Sequence, residues 1–270
     1  IAGILFILGV KGLTKPKTAV RGNFLSALGM LIAVVITLFN INDVDFTYVI
    51  AGIAVGGIVG ALMALRVQMT SMPQMVALLN GFGGGASLSI ALAEYVTRAG
   101  LKPASAADLF QPMKVASNAF GEGVEGTIAL ISISLTVLIG ALTLTGSLVA
   151  FSKLQEWMKK SYGLPGGPVG NGLLLLGALV AIVVLVINPG NTAAMLIVLG
   201  LALLLGLFLV MPIGGADMPV VIALLNSYSG IAAALAGFIL GNTVLIIAGS
   251  LVGTSGLILT RIMCVAMNRS

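Results

Sequence analysis

Two asparagines occupy matched places in a chain that offers few other polar groups. Met72-Pro73-Gln74-Met75-Val76-Ala77-Leu78-Leu79-Asn80 returns as Met218-Pro219-Val220-Val221-Ile222-Ala223-Leu224-Leu225-Asn226, with six of nine positions identical. An amide in hydrocarbon is costly without a partner, and polar residues at such depth mark ion and proton paths. The competing reading is that each amide bonds a neighbouring helix backbone, worth about 0.6 kcal/mol. Asn226 opens a polar run, Asn226-Ser227-Tyr228-Ser229. Ser132, Ser134, Thr136, Thr143, Thr145 and Ser147 crowd one segment, and Ser250, Thr254 and Ser255 another. Thr143 and Ser147 share a helix face at four-residue spacing, as do Ser250 and Thr254. Single hydroxyls in a helix usually bond the preceding turn, so these gain meaning as a cluster.

Other chemistry is thin. The chain has no His and a single Cys, Cys264. That excludes a disulfide within the chain and argues against an imidazole or thiolate metal site. Gly81-Phe82-Gly83-Gly84-Gly85-Ala86 satisfies G-x-G-x-x-A, but that fingerprint needs a preceding strand and a helix N-terminus to hold pyrophosphate. Here it falls inside an apolar span. Asp217 opens another span, where a carboxylate caps free N–H groups and suits the helix dipole; it also stands at the mouth of the polar segment. Glu122 and Glu125 stand at the opposite mouth of the 123–151 segment and read as solvated charges.

The elements that position these residues are spanning helices. Hydrophobic residues make up 59% and charged residues 8% of the 270, against about 25% charged in soluble domains. Mean hydropathy is +1.18. Nine apolar segments follow one another at roughly 1–10, 22–39, 46–65, 72–95, 123–151, 171–187, 192–211, 217–239 and 242–264. The first is short and reads as the tail of a spanning helix that starts upstream, not as a signal peptide. Residues 96–121 hold Pro103 and Pro112 and predict a short interfacial helix near Ala106–Phe110. Nine alternating spans put Lys11, Lys15, Lys17, Arg21, Arg66, Lys153, Lys159, Lys160, Arg261 and Arg269 on one side and Arg98, Lys102 and Lys114 on the other. The basic side is then cytoplasmic, the N-terminus outside and the C-terminus inside. This topology explains the net charge of +5 without a nucleic-acid partner.

The duplication extends further. Gly22-Asn23, Leu25, Leu28-Gly29, Leu31 and Ala33 match Gly170-Asn171, Leu173, Leu176-Gly177, Leu179 and Ala181, and Gly140, Leu142 and Thr145 match Gly249, Leu251 and Thr254. The repeats, about 22–151 and 170–264, start four helices apart. They therefore cross in the same direction, a parallel repeat of the kind that places transporter sites between halves. Glycines at four-residue spacing (Gly52, Gly56 and Gly60; Gly237 and Gly241; Gly249 and Gly253) let helix backbones approach closely.

The run Ile213-Gly214-Gly215-Ala216-Asp217-Met218-Pro219-Val220-Val221, continuing through Leu225-Asn226-Ser227-Tyr228-Ser229-Gly230, closely resembles the proton-translocating NAD(P) transhydrogenase beta subunit. So do Gly253-Thr254-Ser255-Gly256, Ile262-Met263-Cys264 and Ala266-Met267-Asn268-Arg269-Ser270. The resemblance spans essentially the whole chain. It implies an enzyme of the bacterial cytoplasmic membrane that transfers hydride between NAD(H) and NADP(H) while moving protons. Residues 1–270 would be its membrane proton-channel domain, with both nucleotides bound in soluble domains and none in this segment. An NADP(H)-binding domain is expected after residue 270. Alpha-type subunits carrying membrane helices and an NAD(H) domain are the implied partners, and the assembly is expected to be a dimer.

By the same resemblance, Asn226, Ser147 and Gly256 fall on channel positions, Asp217 near the face that meets the NADP(H) domain, and Arg261 to Arg269 on the junction into it. Asn80 falls where many members carry a proton-relaying His. An amide does not titrate at about pH 7, so either another subunit supplies the titrating group, or water and the polar cluster carry the proton past Asn80. The first is the favoured reading, because the complete enzyme needs alpha-type partners with membrane helices. Val265 departs from relatives that carry a Lys there. The sequence reading is therefore an all-α integral membrane protein whose proton path includes Asn80, Ser147, Asn226, Ser250, Thr254, Ser255 and Gly256. The rival reading is a secondary transporter for a small solute or ion built on the parallel repeat.

Overall fold

The computed structural model describes residues 1–40, 46–100, 120, 123–158, 163 and 167–268. Arg269, Glu122, Lys102, Lys114, Lys159, Lys160 and the expected helix near Ala106–Phe110 lie outside them. The described residues form helices joined by turns and short connections, with no strand among them. The α-helices are α1 (Ala2–Leu13), α2 (Pro16–Asn40), α3 (Phe46–Arg66), α4 (Met72–Arg98), α5 (Gly123–Leu154), α6 (Pro168–Ile187), α7 (Thr192–Val210), α8 (Met218–Leu240) and α9 (Thr243–Ala266). Eight of these, all but α1, are long and apolar enough to cross a membrane.

The chain divides into two compact units, 1–75 and 76–270. In the first, α1 and α2 form a tight hairpin. The second helix begins at Pro16 rather than near residue 22, so Lys17 and Arg21 lie within its opening turns and not in a loop. Two things shorten the turn. Proline suits the first turn of a helix because its missing N–H has no partner there anyway. Thr14 Oγ1 donates to the Lys11 carbonyl at 2.8 Å, and Thr18 Oγ1 donates back to the Gly12 carbonyl at 2.6 Å. Helix α3 buries none of its residues, and Gly52, Gly56 and Gly60 meet no neighbouring atom within this unit.

In the second unit α5 is the axis. It packs against α6, α7 and α8, and α8 packs along α9. Its buried residues lie all round it, including Ile133, Val137 and Ala141, as expected of a helix that is apolar on every side. One cluster of buried side chains joins α4, α5, α6 and α7 around Val137, Leu185 and Val198. Another joins α5, α7 and α8 around Leu205, Val210, Met218 and Leu225. The helix ends are specified locally. Asn191 and Asn242 cap α7 and α9, their Oδ1 atoms accepting from the N–H of Ala194 and Leu245, each at 3.1 Å. Helix α8 ends at Gly241, whose φ of +63° is the left-handed conformation glycine adopts without penalty.

The two Met-Pro segments share one local geometry. Each helix is preceded by a 3-10 turn, Met69–Ser71 before α4 and Gly215–Asp217 before α8. Gln68 and Gly214 enter those turns in the extended conformation, with φ, ψ of −76°, 153° and −72°, 157°. Met72 and Met218 then turn into the helix at −58°, −40° and −57°, −37°.

Candidate functional site

Asn80 and Ser147, 67 positions apart in sequence, are joined. Asn80 Nδ2 donates to Ser147 Oγ at 3.0 Å. Ser147 is fully buried and Asn80 only 8% exposed. The contact exists because α4 carries glycine where it meets α5. A Cβ on Gly81 would lie 3.1 Å from Ser147 Cβ, and one on Gly84 would lie 3.0 Å from the Gly140 carbonyl and 2.8 Å from Thr143 Cβ. The Gly81–Ala86 run thus brings two backbones together in mid-helix, and its position inside α4 offers no phosphate cradle. The residues present do not fit a dinucleotide.

The amide of Asn80 is only half satisfied. Its Oδ1 is buried with no hydrogen-bond partner among the described residues. Whichever way the amide is turned, Ser147 can engage only one of its two heads. A buried acceptor left unpaired costs about 1–3 kcal/mol, and so is a group ready to bind water or a donor from elsewhere.

The Asn226 segment is organised around its neighbour. Asn226 is half-buried, whereas Ser227 is fully buried and donates its hydroxyl to the Gly253 carbonyl of α9 at 2.6 Å. Gly256 is buried against Ser227, Gly230 against Gly249 and Gly253. Ser229 faces α4, its Oγ 2.9 Å from where a Cβ on Gly83 would stand. Tyr228 and Asn171 line a cavity of about 370 Å³ whose other walls are mainly Leu and Ile of α5, α6 and α7.

The remaining candidates separate. Thr143 and Ser147 do present one face, and α4 covers it. Ser134, Thr136 and Thr143 bond the carbonyls of Leu130, Ser132 and Ile139 on their own helix. Thr145 reaches out, donating to the Leu203 carbonyl of α7 at 2.9 Å. Ser250, Thr254 and Ser255 lie exposed along α9, and Ser255 bonds the Val252 carbonyl. Arg261 is exposed near the end of α9, and α9 runs antiparallel to α8, since Ser227 meets Gly256 while Gly237 meets Ile246. Arg261 therefore lies toward the end of the bundle where Asp217 begins α8.

Two cations that the spacing did not single out hold helix ends. Lys153 of α5 donates to the carbonyls of Met211 and Ile213, after α7. At the other end Arg98 of α4 pairs with Glu94 at 2.6 Å and donates to the Ile239 carbonyl of α8 at 3.4 Å. A basic residue in the last turn of each host helix was the available signal.

Long apolar helices with a buried amide–hydroxyl pair between them define an integral membrane protein with a polar site inside its bundle. A sequence profile of the NAD(P) transhydrogenase beta subunit matches residues 1–270, and the chain belongs to that family. It is 42% identical over 274 residues to the NAD(P) transhydrogenase subunit beta of Rhodospirillum rubrum, covering 100% of this chain and 55% of that protein. A second Rhodospirillum rubrum protein of the same name matches to the same extent. The chain thus spans about half the length of the relatives it matches.

Proposed function

We propose that this chain is the proton-conducting membrane domain of a transhydrogenase that couples hydride transfer between NAD(H) and NADP(H) to proton translocation. The observation that carries the reading is the buried Asn80–Ser147 pair with one amide head unsatisfied, in a chain of this family. A neutral amide cannot take the proton itself, but it can accept a hydrogen bond from water on one side and donate on the other. The titrating group then comes from an alpha-type subunit. The exposed polar face of Ser250, Thr254 and Ser255 supports such a partner, because uncovered hydroxyls gain little from lipid. Asn226 and Gly256 extend the path beside Ser227.

In the same reading the eight long helices each cross the membrane, and the duplicated segments form a parallel repeat. The end carrying Lys153, Asp217 and Arg261 faces the bacterial cytoplasm, as the Lys/Arg distribution requires. Asp217, Arg261 and Arg269 meet an NADP(H)-binding domain there, and the whole assembly is a dimer. Coupling requires that nucleotide and proton each bind two conformations with different affinity.

The test is reconstitution of the full-length subunit with its alpha-type partners in sealed vesicles, following hydride transfer from NADH to an NADP analogue together with internal pH. Transfer accompanied by a pH change, accelerated by an uncoupler, is the expected result. Hydride transfer with no proton movement removes the channel role, and a folded complex with no transfer removes the enzyme.

A further inference from the structure

Lys153 lies in the last turn of α5, yet two carbonyls to which it donates belong to the connection between α7 and α8. Its Nζ donates to Met211, the C-cap of α7, and to Ile213, the latter at 2.7 Å. Carbonyls at a helix C-terminus lack intrahelical donors and sit at the negative end of the dipole, so an ammonium there is doubly suited. The geometry does more than cap a helix. The capped helix is not the one that carries the lysine, so the bonds tie α5 to the connection. That connection, Met211 to Asp217, runs directly into Met218, which is fully buried at the start of α8. Along α5, Ser147 lies six residues before Lys153, about 9 Å at 1.5 Å per residue, and Ser147 holds Asn80.

We propose that Lys153 is a positioning residue for proton movement. It makes the Met211–Asp217 connection and the end of α5 shift together, so that a displacement at Asp217 reaches Ser147 and, through its bond, Asn80. The inference rests on the proposed transhydrogenase function. A lysine with a purely local capping role would stiffen the connection without any effect on coupling.

The experiment uses the reconstituted full-length complex with Lys153→Met, which keeps the apolar stem and loses the donors, and Lys153→Arg, which keeps donors for both carbonyls. Amide hydrogen exchange over 211–217 is expected to speed up about tenfold in Lys153→Met and little in Lys153→Arg. Coupled hydride transfer is expected to fall about tenfold in Lys153→Met, with the KM for NADH unchanged and fewer protons moved per hydride. Lys153→Arg should restore most of both. If Lys153→Met does not assemble, Lys153→Gln, with an uncharged and shorter donor, is measured in its place, and the same pattern is required of it. Wild-type turnover and stoichiometry in the variant, whether or not the connection loosens, overturns the inference alone. An inactive wild-type complex removes the proposed function and this inference with it.

Discussion

Ser227 gives its hydroxyl hydrogen to the Gly253 carbonyl at 2.6 Å, and its Cα lies 2.9 Å from the point where a Cβ on Gly256 would stand. The α8–α9 crossing therefore has no room for a methyl group. Gly256→Ala should destabilise the membrane domain by about 1–3 kcal/mol through overpacking and reduce proton movement in vesicles. A thermal midpoint equal to wild type in detergent would show that the crossing relaxes freely.

The Asn80–Ser147 pair yields a test by sign. Ser147→Ala leaves the buried amide with neither head engaged by this hydroxyl and should cost about 1–3 kcal/mol. Adding Asn80→Leu to it should recover part of that loss, because no orphaned polar group then remains. Unfolding in denaturing detergent measures the cycle, and a double variant no more stable than Ser147→Ala alone contradicts it. Proton movement should fall in all three variants.

Asn191 and Asn242 each accept a backbone N–H at 3.1 Å. Alanine at either cap should cost about 1 kcal/mol, whereas aspartate should be tolerated because it keeps the acceptor and suits the dipole. Equal losses for alanine and aspartate, read by thermal unfolding, would show that the caps are not the source of the stability.

Thr145 and Gly206 meet where α5 crosses α7. Thr145→Val removes the bond to the Leu203 carbonyl and should cost only about 0.6 kcal/mol. Gly206→Ala should be far worse, because its Cβ would overlap the Leu142 carbonyl and Thr145 Oγ1. Expression and melting of the two variants should rank them in that order.

Ser250→Val and Thr254→Val alter exposed positions on α9. Each should leave the melting of this subunit alone within about 0.5 kcal/mol yet weaken its copurification with alpha-type partners. Loss of stability without loss of assembly would mean that the face is not a contact.

Much of this was written in composition and period. The apolar runs were long enough that helices α3 to α9 begin and end within a few residues of the expected bounds, because nothing but a helix satisfies its own backbone in lipid. The start of α2 was misjudged, since Lys17 and Arg21 read as loop although long cationic stems can extend outward from a helix. Asn80 was legible as a lone amide among aliphatic residues. Its tie to Ser147 was not, because helix partners depend on which glycines meet, and 36 glycines offer many choices. Ser227 was overshadowed by Asn226 for the same reason: periodicity assigns a residue to a helix and leaves open which neighbour it faces. The repeated Gly-Asn-Thr at 190–192 and 241–243 was the missed local signal for the caps of α7 and α9.

Helices α8 and α9 touch main chain to main chain at Gly230, Gly249 and Gly253, with no layer of side chains between them to compress or re-rotamerise. Such a joint has low compliance across its width, so strain applied to one helix is not dissipated in the other. The pair acts as a single stiff beam running from Met218 to the Gly241 turn. Bending in this part of the bundle is then expected at the ends of the beam rather than along it.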